Sequence, residues 1–255
     1  MRRGRGWLGS VALVLVLSIT SVPAEVLAGA VAVRFTEGVT HGFLSLRSTT
    51  GDLLAEGDLL QVVRPEGVDS RLVFRFKDGS VYDERLTFSQ RDVFTLQSYH
   101  IVQQGPSFPE AIDARVDRKT GRYEVRYRSD EDSPEETLKG SFDMPGDVYN
   151  GLLSTLMKNM PVATPATVQI IAFTPKPRLV KMLLKPTVED PMSVNDAAVI
   201  ATRFLVRPQL GMFASLLIAD IPDVKCWIAG GDAPAFLRFE GPLYFMGPIW
   251  RIDWS

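Results

Sequence analysis

Apolar and polar residues alternate with period two through most of this chain. RLVFRFK (71–77) is the clearest case: Leu72, Phe74 and Phe76 share one face, against Arg71, Val73, Arg75 and Lys77. Successive side chains of a strand point to opposite faces, so the pattern predicts a sheet packed on one side and wet on the other. The same reading holds for 40–48, 53–64, 81–89, 93–104, AIDARVD (111–117), RYEVRYRS (122–129) and TLKGSFD (137–143). Turn residues separate these runs: TTGD, PEGVDS, DGS (78–80), GPSFPE (105–110) and RKTG (118–121). Asp78-Gly79 suits a hairpin closed by a primed turn, whose twist matches that of the strands. Strands resume in a more apolar form at 167–173, 178–187, 199–207, 224–229, 235–241 and 249–254, interrupted by TPKP, EDPMSVND, GGDAP and EGPLYFMGP. MFASLLIADIP (212–222) fits a strand or a short helix.

One stretch breaks the period. In MPGDVYNGLLSTLMKNMP (144–161), Val148, Tyr149, Leu152, Leu153, Leu156, Met157 and Met160 form a wide stripe at helical spacing. Gly151, Ser154, Thr155, Lys158 and Asn159 fall on the other face. The pattern predicts a helix over 147–160, with Asp147 as N-cap, Lys158 at the favourable end of the dipole and Pro161 as the stop. The stripe has to be buried, and a concave sheet face is the simplest partner. The expected fold is mainly β: a curved antiparallel sheet or half-open β-barrel with one amphipathic helix packed on the concave face.

The N-terminus changes what the mature protein is. Arg2, Arg3 and Arg5 precede an apolar run, Val11 to Ile19, and Ser21-Val22-Pro23-Ala24 supplies small residues for cleavage. This predicts a signal peptide over 1–24, with Ala28 and Ala30 as a second option. The apolar run is shorter than the roughly 20 residues of a spanning helix. Cleavage removes three arginines and no acidic residue, taking the formal charge from −2 to −5. A mildly acidic chain gives no reason to expect nucleic acid, and no later stretch is apolar enough to span a bilayer. The expected location is therefore exported, periplasmic before secreted. Residues 25–255 read as a single β-rich domain, with 159–167 as the place for any subdivision. Cys226 is the lone cysteine, so no internal disulfide forms; apolar neighbours in VKCWIA predict a buried thiol.

Little of this points to catalysis. His41 and His100 lie in different predicted strands without ligand spacing, so no metal is expected. G-x-S-x-G and G-x-x-x-x-G-K-[ST] are absent, and no cofactor is expected. Asp130, Glu131, Asp132, Glu135 and Glu136 read as a solvated loop; the spacing of a calcium-binding EF-hand is missing. The C-terminal rings Trp227, Phe236, Phe239, Tyr244, Phe245, Trp250 and Trp254 alternate with Arg238, Glu240, Arg251 and Asp253, as a closing strand pair would.

GPSFPEAIDARVDRKTGRYEVRY, GSFDMPGDVYNGLLSTLMKN and APAFLRFEGPLYFMGPIWRIDW resemble exported bacterial proteins grouped as a domain of unknown function. That resemblance implies no mechanism. More distantly, an exported curved sheet holding a helix resembles the lipoprotein-carrier fold of LolA and LolB, which implies a cavity for acyl chains between sheet and helix. On this reading the protein is a non-enzymatic binder of a lipophilic small molecule or acyl chain. The candidate cavity residues are Leu152, Leu153, Leu156 and Met157 on the helix, with Phe74 and Phe76 on the sheet. A structural or envelope-assembly protein with a filled core is the alternative class, and a hydrolase with an unrecognised site the third. No particular protein partner is implied.

Overall fold

Fifteen strands among the described residues join in one sheet. In chain order they are β1 (Leu27–Ala28), β2 (Thr40–Arg47), β3 (Leu53–Arg64), β4 (Gly67–Phe76), β5 (Val81–Gln90), β6 (Phe94–Gln104), β7 (Ala111–Asp117), β8 (Arg122–Arg128) and β9 (Glu136–Ser141). The helix α1 (Leu153–Asn159) follows, then β10 (Ala166–Phe173), β11 (Pro177–Val194), β12 (Ala197–Pro208), β13 (Val224–Ala229), β14 (Ala235–Gly241) and β15 (Trp250–Trp254). The structure is a computed structural model and describes residues 27–130, 132–161, 164–194, 196–209 and 223–254. The expected signal segment and the ambiguous 212–222 lie outside the described residues.

The strand order is β1-β10-β11-β12-β13-β14-β15-β2-β3-β4-β5-β6-β7-β8-β9. Neighbours from β10 round to β9 pair antiparallel, and the two-residue β1 adds to β10 in parallel. The two halves meet where β15 pairs with β2, through Ile252↔Leu46 and its neighbours. The sheet is curved and not closed into a barrel; its ends are β9 and β1. Curvature brings distant strands face to face. Tyr99 of β6 stacks flat on Phe173 of β10, with centroids 6.2 Å apart and planes 3° apart, although ten ladder steps separate those strands.

The period-two reading locates the strands, but three local details differ. The β4–β5 hairpin at DGS is not a primed turn. Gly79 N–H donates to Phe76 O (3.1 Å) and Gly79 has φ +88°, while Asp78 keeps a negative φ. A type I turn followed by a left-handed glycine satisfies the hairpin instead, and Asp78 Oδ1 accepts from Ser80 N–H. The turn before β4 is also tighter than PEGVDS suggests, because β4 already starts at Gly67 and Val68 is fully buried. Third, β11 runs on past Pro186 and through Glu189 to Val194, where a turn is expected at EDPMSVND. Its pairing with β10 stops at Leu184, so Pro186 and Pro191 sit where β11 has one neighbour and a missing N–H breaks no second ladder.

The helix is shorter than its apolar stripe. Gly151 takes φ +70°, and the chain before it runs alongside β10 through a parallel bridge of Val148 to Gln169. Asp147 is therefore not an N-cap, and the helix starts at Leu153 with no side-chain cap. Asp147 O accepts from Gln169 N–H (2.8 Å), Tyr149 N–H donates to Gln169 O (2.9 Å), and Asp147 Oδ1 accepts from Gln169 Nε2 (2.9 Å). Asn150 continues the pairing with its side chain: Oδ1 accepts from Ile171 N–H and Nδ2 donates to Ile171 O. This protects an otherwise open strand edge. The far end behaves as predicted, since Met160 turns extended ahead of Pro161.

The core lies on the concave side. Leu46, Phe74, Phe88, Phe94 and Leu96 of the first half meet Val168, Leu184, Val206, Cys226 and Ile252 of the second, with Tyr149, Leu152 and Leu156 between them. Phe76, Phe108, Tyr244 and Trp250 close one end with edge-on or tilted ring contacts at 5.3–6.2 Å. The second half also carries a small outer cluster, Ala201, Trp227, Ala229 and Leu237, where Trp227 Nε1 donates to Asp190 Oδ2 at 2.7 Å. The C-terminal pair β14–β15 is built as expected, with Arg238 and Arg251 both on Asp253.

Candidate functional site

Between α1 and the concave sheet lies a space of about 1160 Å³. Pockets for drug-sized ligands run roughly 300–1,000 Å³, so this one is large. Its walls are mostly apolar. Leu59, Leu72, Leu86 and Ile101 contribute from the first half, Ile170, Phe173, Val180 and Phe239 from the second, and Leu153 and Met157 from the helix. At its rim the 242–247 loop holds Phe245 and Met246 out, 57% and 60% exposed.

The six sequence candidates separate here. Leu153 and Met157 line the space. Leu152, Leu156, Phe74 and Phe76 are buried in the core and form no part of the wall. The reason is rotational. The stripe on α1 is wide enough that one edge packs inward onto the core while the other edge faces the space.

The nominally polar face of the helix is not solvated either. The segment 31–37 crosses it. Asn159 is almost fully buried; its Oδ1 accepts from Arg34 N–H (2.8 Å) and Phe35 N–H (2.7 Å), and its Nδ2 donates to Thr155 O. Lys158 pairs with Glu37, whose other carboxylate oxygen accepts from Gln61 Nε2 at 3.3 Å. Gln90 closes the arrangement on the Glu37 backbone. The helix is thus bolted to the N-terminal segment by polar contacts. No pattern within residues 31–37 announces this.

Glu84 is the unexpected residue. On β5 it shares the inward face with Tyr82 and Leu86, and it lines the space. Register sets Tyr82 opposite Gln103 and Leu86 opposite Tyr99, so two phenols flank the carboxyl. Tyr99 O–H donates to Glu84 Oε1 at 2.8 Å, and Tyr82 O–H reaches the same oxygen at 3.5 Å. Burial raises the Glu84 carboxyl above the usual carboxylate range, partly offset by those two hydrogen bonds. Both phenols are pushed well up, first by burial and then by the nearby carboxylate. Cys226 also lines the space, and burial pushes its thiol far up, which keeps it unreactive.

The outer face is chemically different. One cross-strand row reads His41, Leu60, Arg71, Arg85, His100, Arg115, Glu124, Lys139 from β2 to β9. Carboxylates in the neighbouring row neutralise it. Asp83 receives paired hydrogen bonds from both Arg71 and Arg85. Burial raises its pKa, but the two guanidiniums outweigh that and hold it below the usual carboxylate range. His100 Nε2 lies 2.9 Å from Asp113 Oδ1 and 3.3 Å from Arg115 Nε. One nitrogen cannot both donate to the carboxylate and accept from the guanidinium, so the shorter contact is the hydrogen bond. His41 pairs similarly with Asp58 at 3.2 Å. Among the described residues no serine or threonine hydroxyl bonds to either histidine, and no three His, Cys, Asp or Glu side chains gather as a metal site would need. Asp130 spends Oδ1 on the backbone N–H groups of Asp132 and Ser133 in its own loop.

Comparison with family models, with curated proteins and with solved structures returns no match. The reading of function therefore rests on the site itself.

Proposed function

We propose that this protein is an exported, non-enzymatic binding protein that holds an apolar ligand between α1 and the concave sheet. The single observation that carries the reading is a large, mostly apolar space beside a helix that nevertheless has a well-packed core of its own. Affinity would come from burying ligand surface, at about 25 cal/mol per Å² before the costs of association. Met157 on the wall gives an adaptable contact.

An environment-sensitive apolar dye tests this. The full chain takes up the dye saturably, and Leu153→Gln weakens uptake about five- to tenfold, the equivalent of roughly 1–1.4 kcal/mol. Leu153 is only half-buried, so its chemical-denaturation midpoint moves little. A wild-type chain that takes up no dye, or a Leu153→Gln chain that binds as well as wild type, rejects the reading.

Export rests on the arginines at 2, 3 and 5, the apolar run and the small residues before Glu25. N-terminal sequencing of protein recovered from outside the cytoplasm should begin at Glu25. A chain that keeps residues 1–24 overturns the cleavage.

A further inference from the structure

Most of the wall offers a ligand nothing but apolar contact, and Glu84 is the exception. Its hydrogen bonds from Tyr99 and Tyr82 both go to Oε1. Oε2 carries no hydrogen bond among the described residues and no lysine or arginine reaches it there. The space beside Oε2 is kept open by the chain itself. A side-chain carbon at Gly151 would stand 3.2 Å from Oε2 and 2.8 Å from Leu86 Cδ2, and at φ +70° the backbone there already favours glycine.

We propose that Glu84 is the polar anchor of the space and that the ligand is an amphipathic amine, its ammonium on Oε2 and its apolar chain along the wall. This rests on the reading that the space holds a ligand at all. The two phenols have committed their protons to Oε1, so the anchor presents acceptors only. It therefore selects donors and repels phosphate or carboxylate heads. A cation is favoured over a hydroxyl because a carboxylate buried without a counter-charge is costly, and an ammonium supplies that charge together with a charge-assisted hydrogen bond. The other charged groups on the wall do not compete. Lys158 and Glu37 already pair with each other, and Arg34 reaches the Met160 carbonyl. Asp232 stands exposed to water in the turn between β13 and β14.

Displacement of the apolar dye from the full chain by dodecylamine, dodecanol and dodecanoate, each below its micelle concentration, decides the matter. The amine should displace dye at a concentration about tenfold or more below the alcohol, as a hydrogen bond to a charged group implies, and dodecanoate should be weakest. E84Q, checked for folding by circular dichroism, should bring amine and alcohol within about twofold of each other. Equal displacement by all three chains, or a preference for the amine that survives in folded E84Q, overturns the anchor while leaving an apolar site standing. If E84Q does not fold, the wild-type ranking decides: an alcohol or carboxylate that matches the amine overturns the proposal. Failure of dye and all three chains to bind overturns both this inference and the function it rests on.

Discussion

Leu156→Ala lowers the stability of the fold by about 2–5 kcal/mol, the range for truncating a fully buried leucine. Leu156 has no accessible surface and sits in the core cluster with Tyr149, Leu152 and the inner faces of both sheet halves. A seven-residue helix has no stability of its own in water, so α1 exists only through this packing. Truncation therefore removes part of the packing that holds α1, while Leu152, Met157 and Met160 still anchor it on the core. Urea denaturation followed by tryptophan fluorescence measures the loss. Leu156 does not touch the space that Leu153 and Met157 line. Dye uptake by the folded Leu156→Ala chain, measured well below its midpoint, should then stay within about twofold of wild type. The pair of variants splits one helix into two functions, with Leu156 answering in stability and Leu153 in binding. A Leu156→Ala chain as stable as wild type to within about 0.5 kcal/mol means the core is not where the structure places it.

The split also shows how far the sequence could be read. Strands came out well because their signal is local: alternation and turn residues are enough to place β3 at the predicted 53–64. The amphipathic stripe identified the helix for the same reason. It could not say which edge of the stripe packs on the core, since that depends on how the nine strands between β6 and β10 curl. Its N-terminal boundary was misplaced because Asp147 and Tyr149 pair their backbone, and Asn150 its side chain, with β10, a partner about 20 residues away, in preference to starting a helix. Loops were under-read in the same way. GPSFPE looks like a plain break, yet its Phe108 packs between Phe76 and Tyr244 in the core. Glu84 was legible only as one more charge in VYDERLTFS. Alternation does put it on the face of Tyr82 and Leu86, and a charged residue on the apolar face of a strand is the signal that could have found it.

Asn159→Ala gives the second large effect, and it reaches the wall from the opposite side. The side chain is 1% exposed and answers two backbone donors at once, the N–H groups of Arg34 and Phe35, which have no strand to pair with. Alanine leaves both donors without an acceptor and the Thr155 carbonyl without the Nδ2 donor, for a loss of about 2–4 kcal/mol. Asn159→Asp keeps an acceptor at the same place and should lose less. Because Arg34, Phe35, Thr36 and Glu37 all stand on the wall, releasing them does more than weaken the fold. Amide hydrogen exchange at Arg34 and Phe35 should accelerate, and bound dye should dissociate faster, since only the Lys158–Glu37 pair and the Arg34 contact with the Met160 carbonyl then hold helix and segment together. Unchanged protection at those two amides in Asn159→Ala would show that the segment is held by something other than the helix. The wall would then not depend on the bolt that Asn159 makes.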